Sequence, residues 1–128
     1  GKAMVDFAAL ADRFFKAYND KDFDTMRDMM APDIDMAHHN RGFTCNERDA
    51  LMAVFPVFAD VLAPDRTFSA PQRVTVSGNL VIRESDYSGT ATDDIPKFAS
   101  KGEHFKFRLC SVLRFDDNGI LVEWKDHG

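Results

Sequence analysis

At 128 residues, with 45% hydrophobic residues and twelve Phe, the chain is long enough to bury roughly two-thirds of its unfolded surface and too apolar to stay disordered. A formal net charge of -5 would repel a phosphate backbone, and no basic stripe with interleaved aromatics offsets it, which sets nucleic acid aside as a partner. No apolar run approaches the ~18 residues of a membrane span, and no signal-peptide core follows the first residues, so the expectation is a cytoplasmic protein with no membrane partner.

From Met4 to Tyr18, the residues Phe7, Leu10, Ala11, Phe14, Phe15 and Tyr18 recur at spacings of three and four, which predicts an amphipathic helix. Asn19-Asp20-Lys21-Asp22 interrupts it, and Phe23, Met26, Met29 and Met30 predict a second, shorter helix ending before Pro32. Asp33 to Asn40 alternates and predicts a short strand, closed by Arg41-Gly42. Asn46 is the expected N-cap of a third helix with an apolar stripe from Leu51 to Leu62, kinked at Pro56. The remainder predicts a meander: Thr67 to Ser77, a hairpin turn at Ser77-Gly78-Asn79, Leu80 to Ser88, a loop over 89–102, then Glu103 to Phe115 and Ile120 to His127 around Asn118-Gly119. No repeat or second domain is indicated, and residues 1–128 are expected to form one unit.

Three helices beside a bent antiparallel sheet must bury the helical stripes against one sheet face. Alternation puts Phe105, Phe107, Leu109, Ser111, Leu113 and Phe115 of one strand, and Ile120, Val122, Trp124 and Asp126 of its partner, on that shared face. Taking Ile82, Glu84 and Asp86 as the inward set of their strand leaves an acidic pair within an apolar wall. The outward set would include Arg83, Tyr87, Arg108, Cys110 and Val112. Cys45 and Cys110 lie far apart, outside any metal-ligand spacing, and read as free thiols; His104 and His127 form no recognised metal spacing, so neither metal nor cofactor is expected.

Four segments, Phe14-Phe15-Lys16-Ala17-Tyr18-Asn19-Asp20-Lys21-Asp22, Met30-Ala31-Pro32-Asp33, Glu47-Arg48-Asp49-Ala50 and Phe115-Asp116-Asp117-Asn118-Gly119-Ile120, stand in the order and spacing of a known superfamily. On them the chain resembles the nuclear transport factor 2-like superfamily, in its SnoaL-like, limonene-epoxide-hydrolase-like and ketosteroid-isomerase-like branches. The resemblance implies an α+β fold: a cone-shaped roll of three N-terminal helices on a curved, mixed but mostly antiparallel sheet. It also implies a homodimer, formed through the outer sheet face.

Trp124-Lys125-Asp126-His127 is similar to the Trp-Arg-Asp-Tyr stretch of limonene-epoxide hydrolases, whose Asp helps to activate water. That branch carries a second Asp two residues after an Arg on an earlier strand. Asp86 falls at the matching place, with Glu84 where the Arg would stand. Against ketosteroid isomerases, the helical Tyr is replaced by Phe14, the base Asp falls near His38 and the oxyanion acid by Ser111, so that branch's donor pair is not reproduced.

The candidate catalytic residues are therefore Asp126 and Asp86 as base or water activator, and His38 as proton donor or orienting group. His38 shares its parity with Ile34 and Met36, whereas His39 points the other way as a candidate rim contact. Trp124, Phe14, Tyr18, Ser111 and Glu84 are candidate ligand contacts, though aromatic residues at these spacings serve equally as core. The expected partner is a small hydrophobic or oxygenated molecule. Whether it is isomerised, cyclised, dehydrated or hydrolysed, or only bound, the residues leave open.

Overall fold

A computed structural model describes residues 4–128. Helix α1 (Phe7–Asn19) starts where the Asp6 carboxylate accepts a hydrogen bond from the Ala9 N–H at 3.0 Å. Its buried stripe is Ala11, Phe14, Phe15, Ala17 and Tyr18, and each fully buried aromatic adds roughly 1.5–3 kcal/mol. Asp22 caps α2 (Phe23–Met29) in the same way, through the Thr25 N–H. The backbone then turns extended at Met30, two residues ahead of Pro32, and begins β1 (Met30–His38), three residues earlier than alternation alone suggests.

A short 3-10 turn (His39–Arg41) and Gly42, whose φ of 69° suits a residue without Cβ, reverse the chain into β2 (Phe43–Cys45). This brief strand was not anticipated, because three residues are too few to display alternation. Helix α3 (Arg48–Val57) opens after Glu47 and contains Pro56, which has no N–H to give the carbonyl of Met52. The helix widens at once into a π-helical turn (Phe58–Leu62), so the expected kink is a change of pitch. The segment expected as one strand from Thr67 to Ser77 is divided into β3 (Thr67–Phe68) and β4 (Arg73–Ser77), followed by β5 (Leu80–Thr90), β6 (His104–Phe115) and β7 (Leu121–His127).

The described residues form a seven-stranded sheet in the order β2-β1-β7-β6-β5-β3, with β4 also paired to β5. All pairings are antiparallel except that of β1 with β7, which joins the two halves of the chain in parallel. The three helices cover one face. The core between them holds Trp124, Phe14, Phe115, Leu109 and Leu113, all nearly or wholly inaccessible to solvent. Gly89 sits within β5 where a Cβ would lie 2.7 Å from Phe105 Cζ and 3.1 Å from Arg66 Cα, so the strand and the Arg66 backbone approach through it.

The inward face of β5 corrects one expectation. Val81, Arg83, Ser85, Tyr87 and Gly89 are buried, and Ile82, Glu84 and Asp86 face outward. Both alternating sets of this strand mix apolar and polar residues, so hydrophobicity cannot choose between them. The register does: Tyr87 pairs with Phe107 and Arg83 with Ser111, whereas Asp86 pairs with Arg108 and Glu84 with Cys110, and register partners share a face. Arg83 and Tyr87 therefore belong to the interior and not to the outer face.

Candidate functional site

Between the helices and the inward face of the sheet lies a cavity of about 270 Å³. Its wall is mainly aromatic: Tyr18 from α1, Phe55 and Phe58 from α3 and its π-helical turn, Phe68 from β3, Tyr87 from β5 and Trp124 from β7. The widened turn after Pro56 brings Phe55 and Phe58 to the same opening. Phe98, from the loop between β5 and β6, stands edge-on to Phe58 at 5.4 Å between ring centres and to His38 at 6.2 Å. Arg41 holds its guanidinium 3.8 Å from the Phe107 ring centre and 5.6 Å from that of Phe98, and donates to the Lys97 carbonyl at 3.3 Å.

Asp126 is the carboxylate of this cavity. It is 3% exposed, and Trp124 Nε1 donates to its Oδ1 at 2.9 Å. Burial penalises the anion and pushes its pKa up from 3.8 to about 6, against the opposing influence of Ser111 and of the Trp124 N–H. Ser111, the register partner of Asp126 on β6, is fully buried, and its Oγ has no hydrogen-bond partner.

His38 is the register partner of Asp126 on β1 and lines the same cavity. Burial pushes its pKa down to about 4, with a backbone hydrogen bond at Gly128 acting the other way, so the imidazole is neutral near pH 7. Its Nε2 is buried and has no hydrogen-bond partner. The structure thus brings together Asp126, His38, Trp124 and Tyr18.

The other predicted residues lie elsewhere. Asp86 is on the outer face, where Arg108 Nε donates to it at 2.8 Å and holds its carboxyl below the usual range. Glu84, also outward, is held by Arg73, whose Nη2 donates at 2.7 Å, and its carboxyl too is lowered. His39 has left the strand for the 3-10 turn and lies exposed, its ring centre 4.8 Å from that of His127. Phe14 is core: it meets Trp124 edge-on at 5.1 Å, behind the cavity wall, and Ser111 likewise stands outside the lining. The inward arginine sought at position 84 is Arg83, which is ion-paired with Asp12 on α1, and two residues on the inward position holds Ser85.

Tyr87, Phe98 and Arg41 were missed. Phe98 carried a signal, a lone aromatic in an otherwise polar loop; Tyr87 was lost to the wrong choice of face. Among the described residues no cluster of three or more His, Cys, Asp or Glu could hold a metal ion, and no helix is long and apolar enough to cross a membrane.

Known proteins share this architecture. The model of the SnoaL-like domain matches residues 11–124. No curated protein matches the sequence. Among solved structures, a proposed polyketide cyclase from Xanthomonas campestris pv. campestris superposes with a TM-score of 0.79 at 18% identity, covering 95% of this chain and 89% of that one. An LEH-like epoxide hydrolase of M. tuberculosis gives 0.73 at 18% identity, with 94% and 80% covered. A protein of ketosteroid isomerase-like fold from Catenulispora acidiphila, in complex with trimethylamine, gives 0.76 at 13% identity, with 98% and 87% covered. At these identities the likeness to solved structures is one of fold. The family model reaches from α1 to the Trp124 strand, and the chain belongs to the SnoaL-like domain family.

Proposed function

We propose that the cavity binds a small apolar molecule bearing oxygen and that Asp126 moves a proton on it, in an isomerisation, cyclisation, dehydration or hydrolysis that needs no cofactor. The observation that carries this is a single buried carboxylate in an aromatic cavity, raised to about 6 and oriented by Trp124 Nε1. A base with that pKa is ionised at neutral pH yet basic enough to abstract a proton. Neutral His38, with Nε2 unpartnered, orients the ligand. The cyclase and hydrolase neighbours support chemistry of this kind on this fold.

The test is a panel of cyclic ketones, epoxides and polyketide-like compounds, first for thermal stabilisation and then for turnover by the wild type and Asp126→Asn. The expected result is a variant that binds and does not turn over. A ligand converted at the wild-type rate by Asp126→Asn removes Asp126 from the chemistry.

A second possibility, binding without turnover, has its own support: with Glu84 and Asp86 outside, the cavity holds one carboxylate and lacks the acid-base pair that two would provide. Stabilisation by a ligand that is recovered unchanged is its signature. For assembly, we propose that two copies pair through the outer sheet face, where the register partners Ile82 and Val112 are both half-buried. Sedimentation of the wild type against Val112→Glu tests that pairing.

A further inference from the structure

Arg41 and Lys97 stand together at the rim of the cavity. Arg41 ends the 3-10 turn after β1 and lines the cavity, half-buried. The Phe107 ring centre, 3.8 Å from its guanidinium carbon, and the Lys97 carbonyl, which accepts from Nη1 at 3.3 Å, hold the group in place. Its buried Nε has no hydrogen-bond partner. Lys97 lies between Pro96 and Phe98, both of which line the cavity. Its φ of 62° is a left-handed conformation that costs a residue with a Cβ, and its exposed side chain runs over Gly42, where a Cβ would stand 3.0 Å from Nζ. Gly42 thus leaves room for the ammonium next to Arg41.

Neither cation has a counter-ion. Among the described residues no ion pair includes Arg41 or Lys97, in a chain whose net charge is -5. Like charges kept as neighbours repel, and a buried N–H without an acceptor is costly; an anion arriving from outside relieves both. The carboxylate of the lining is Asp126, which is 3% exposed and has His38 as its register partner. One 3-10 turn separates His38 from Arg41. Burial, and after it the Arg41 charge, keeps that imidazole neutral. The cavity therefore has two unlike ends, a buried carboxylate inside and a cationic rim open to solvent.

We propose that Arg41 and Lys97 bind a carboxylate of the ligand at the rim, so that the molecule the cavity takes is an organic acid with an aromatic or alicyclic body. This rests on the proposed function and narrows it. The planar guanidinium matches the two oxygens of a carboxylate, and the ammonium adds a compact second charge. The two cations offset the repulsion that Asp126 exerts on an acid. An acid anchored at the rim lays its apolar body along the aromatic wall and turns its far end to Asp126.

The test is calorimetric titration at pH 7 with 2-naphthoate and with 2-naphthamide, the neutral isostere of the acid. The wild type should bind the acid about tenfold more tightly than the amide. In Arg41→Gln/Lys97→Gln that ratio should fall to within about twofold of unity, and reading a ratio removes any loss of packing common to both compounds. Lys97→Gln alone, an exposed change that spares the aromatic contacts of Arg41, should lower it about threefold. Lys16→Gln, which removes an exposed cation on α1, should leave it unchanged. Equal binding of acid and amide by the wild type, a preference that survives in the double variant or in Lys97→Gln, or one lost equally in Lys16→Gln overturns the carboxylate site and leaves the cavity function standing. Failure of both compounds to bind the wild type overturns that function and this site with it. The wild type and Lys97→Gln decide even if the double variant does not fold.

Discussion

His38 on β1 and Asp126 on β7 are register partners across the parallel pair that joins the two halves of the sheet, and no hydrogen bond connects them. The register continues through Ser111 on β6 to Arg83 on β5, so a row of four buried polar residues crosses the covered face. Burial drives Asp126 up and His38 down, so both lean toward their neutral forms.

If Asp126 is the base, it must be ionised. The kcat/KM of the turned-over ligand should be flat above pH 7 and fall about tenfold per unit below pH 6. That limb should report a value near the Asp126 pKa of about 6. A profile with its acid limb near 4 would assign the titration to another group.

Stability should carry the same two groups with opposite signs. Asp126 is raised from 3.8 to about 6, so its contribution is fully present below 3.8 and is lost as pH rises through 6. His38 is lowered from 6.5 to about 4, so its contribution is present above 6.5 and is lost as pH falls through 4. Asp126→Asn should therefore be more stable than the wild type at pH 8, by up to an order of 3 kcal/mol at 1.36 kcal/mol per unit. The gain should vanish by pH 4, leaving the variant with the steeper acid loss. Urea denaturation from pH 4 to 8 checks this, and a variant weaker than wild type at pH 8 contradicts the desolvation of Asp126.

Phe14 should behave as core. Phe14→Ala removes the ring set edge-on to Trp124 and should cost about 3–5 kcal/mol of unfolding free energy, because the fully buried site cannot collapse around the loss. Denaturant titration measures it; a loss under about 1 kcal/mol would show that the site relaxes.

Asp86→Asn should leave ligand affinity and turnover within about twofold of wild type, because the carboxylate is on the outer face with Arg108. Calorimetric titration with any ligand found by thermal shift provides the comparison. A tenfold loss would place Asp86 in contact with the site after all.

The two hairpins of the second half were readable because Gly78-Asn79 and Asn118-Gly119 are local turn signals between alternating runs. His38 was assigned inward correctly for the same kind of reason: Ile34 and Met36 mark its face. The facing of β5 was not legible, because its two faces carry Arg83 and Ser85 against Glu84 and Asp86, and a strand polar on both sides has no hydrophobic preference.

What the sequence by itself determined is what short-range chemistry encodes: helices where apolar residues recur at three and four, turns at Gly and Pro, and a Trp124-Lys125-Asp126 strand whose alternation turns Trp124 and Asp126 together. What only the tertiary structure decided is which distant groups meet. The parallel pairing of β1 with β7 puts His38 beside Asp126, and the β5–β6 register turns Tyr87 inward to meet Tyr18 at 2.5 Å. Those neighbours are 69 and 88 residues apart, and their meeting depends on how all the strands between them are registered, a collective quantity that no local pattern records.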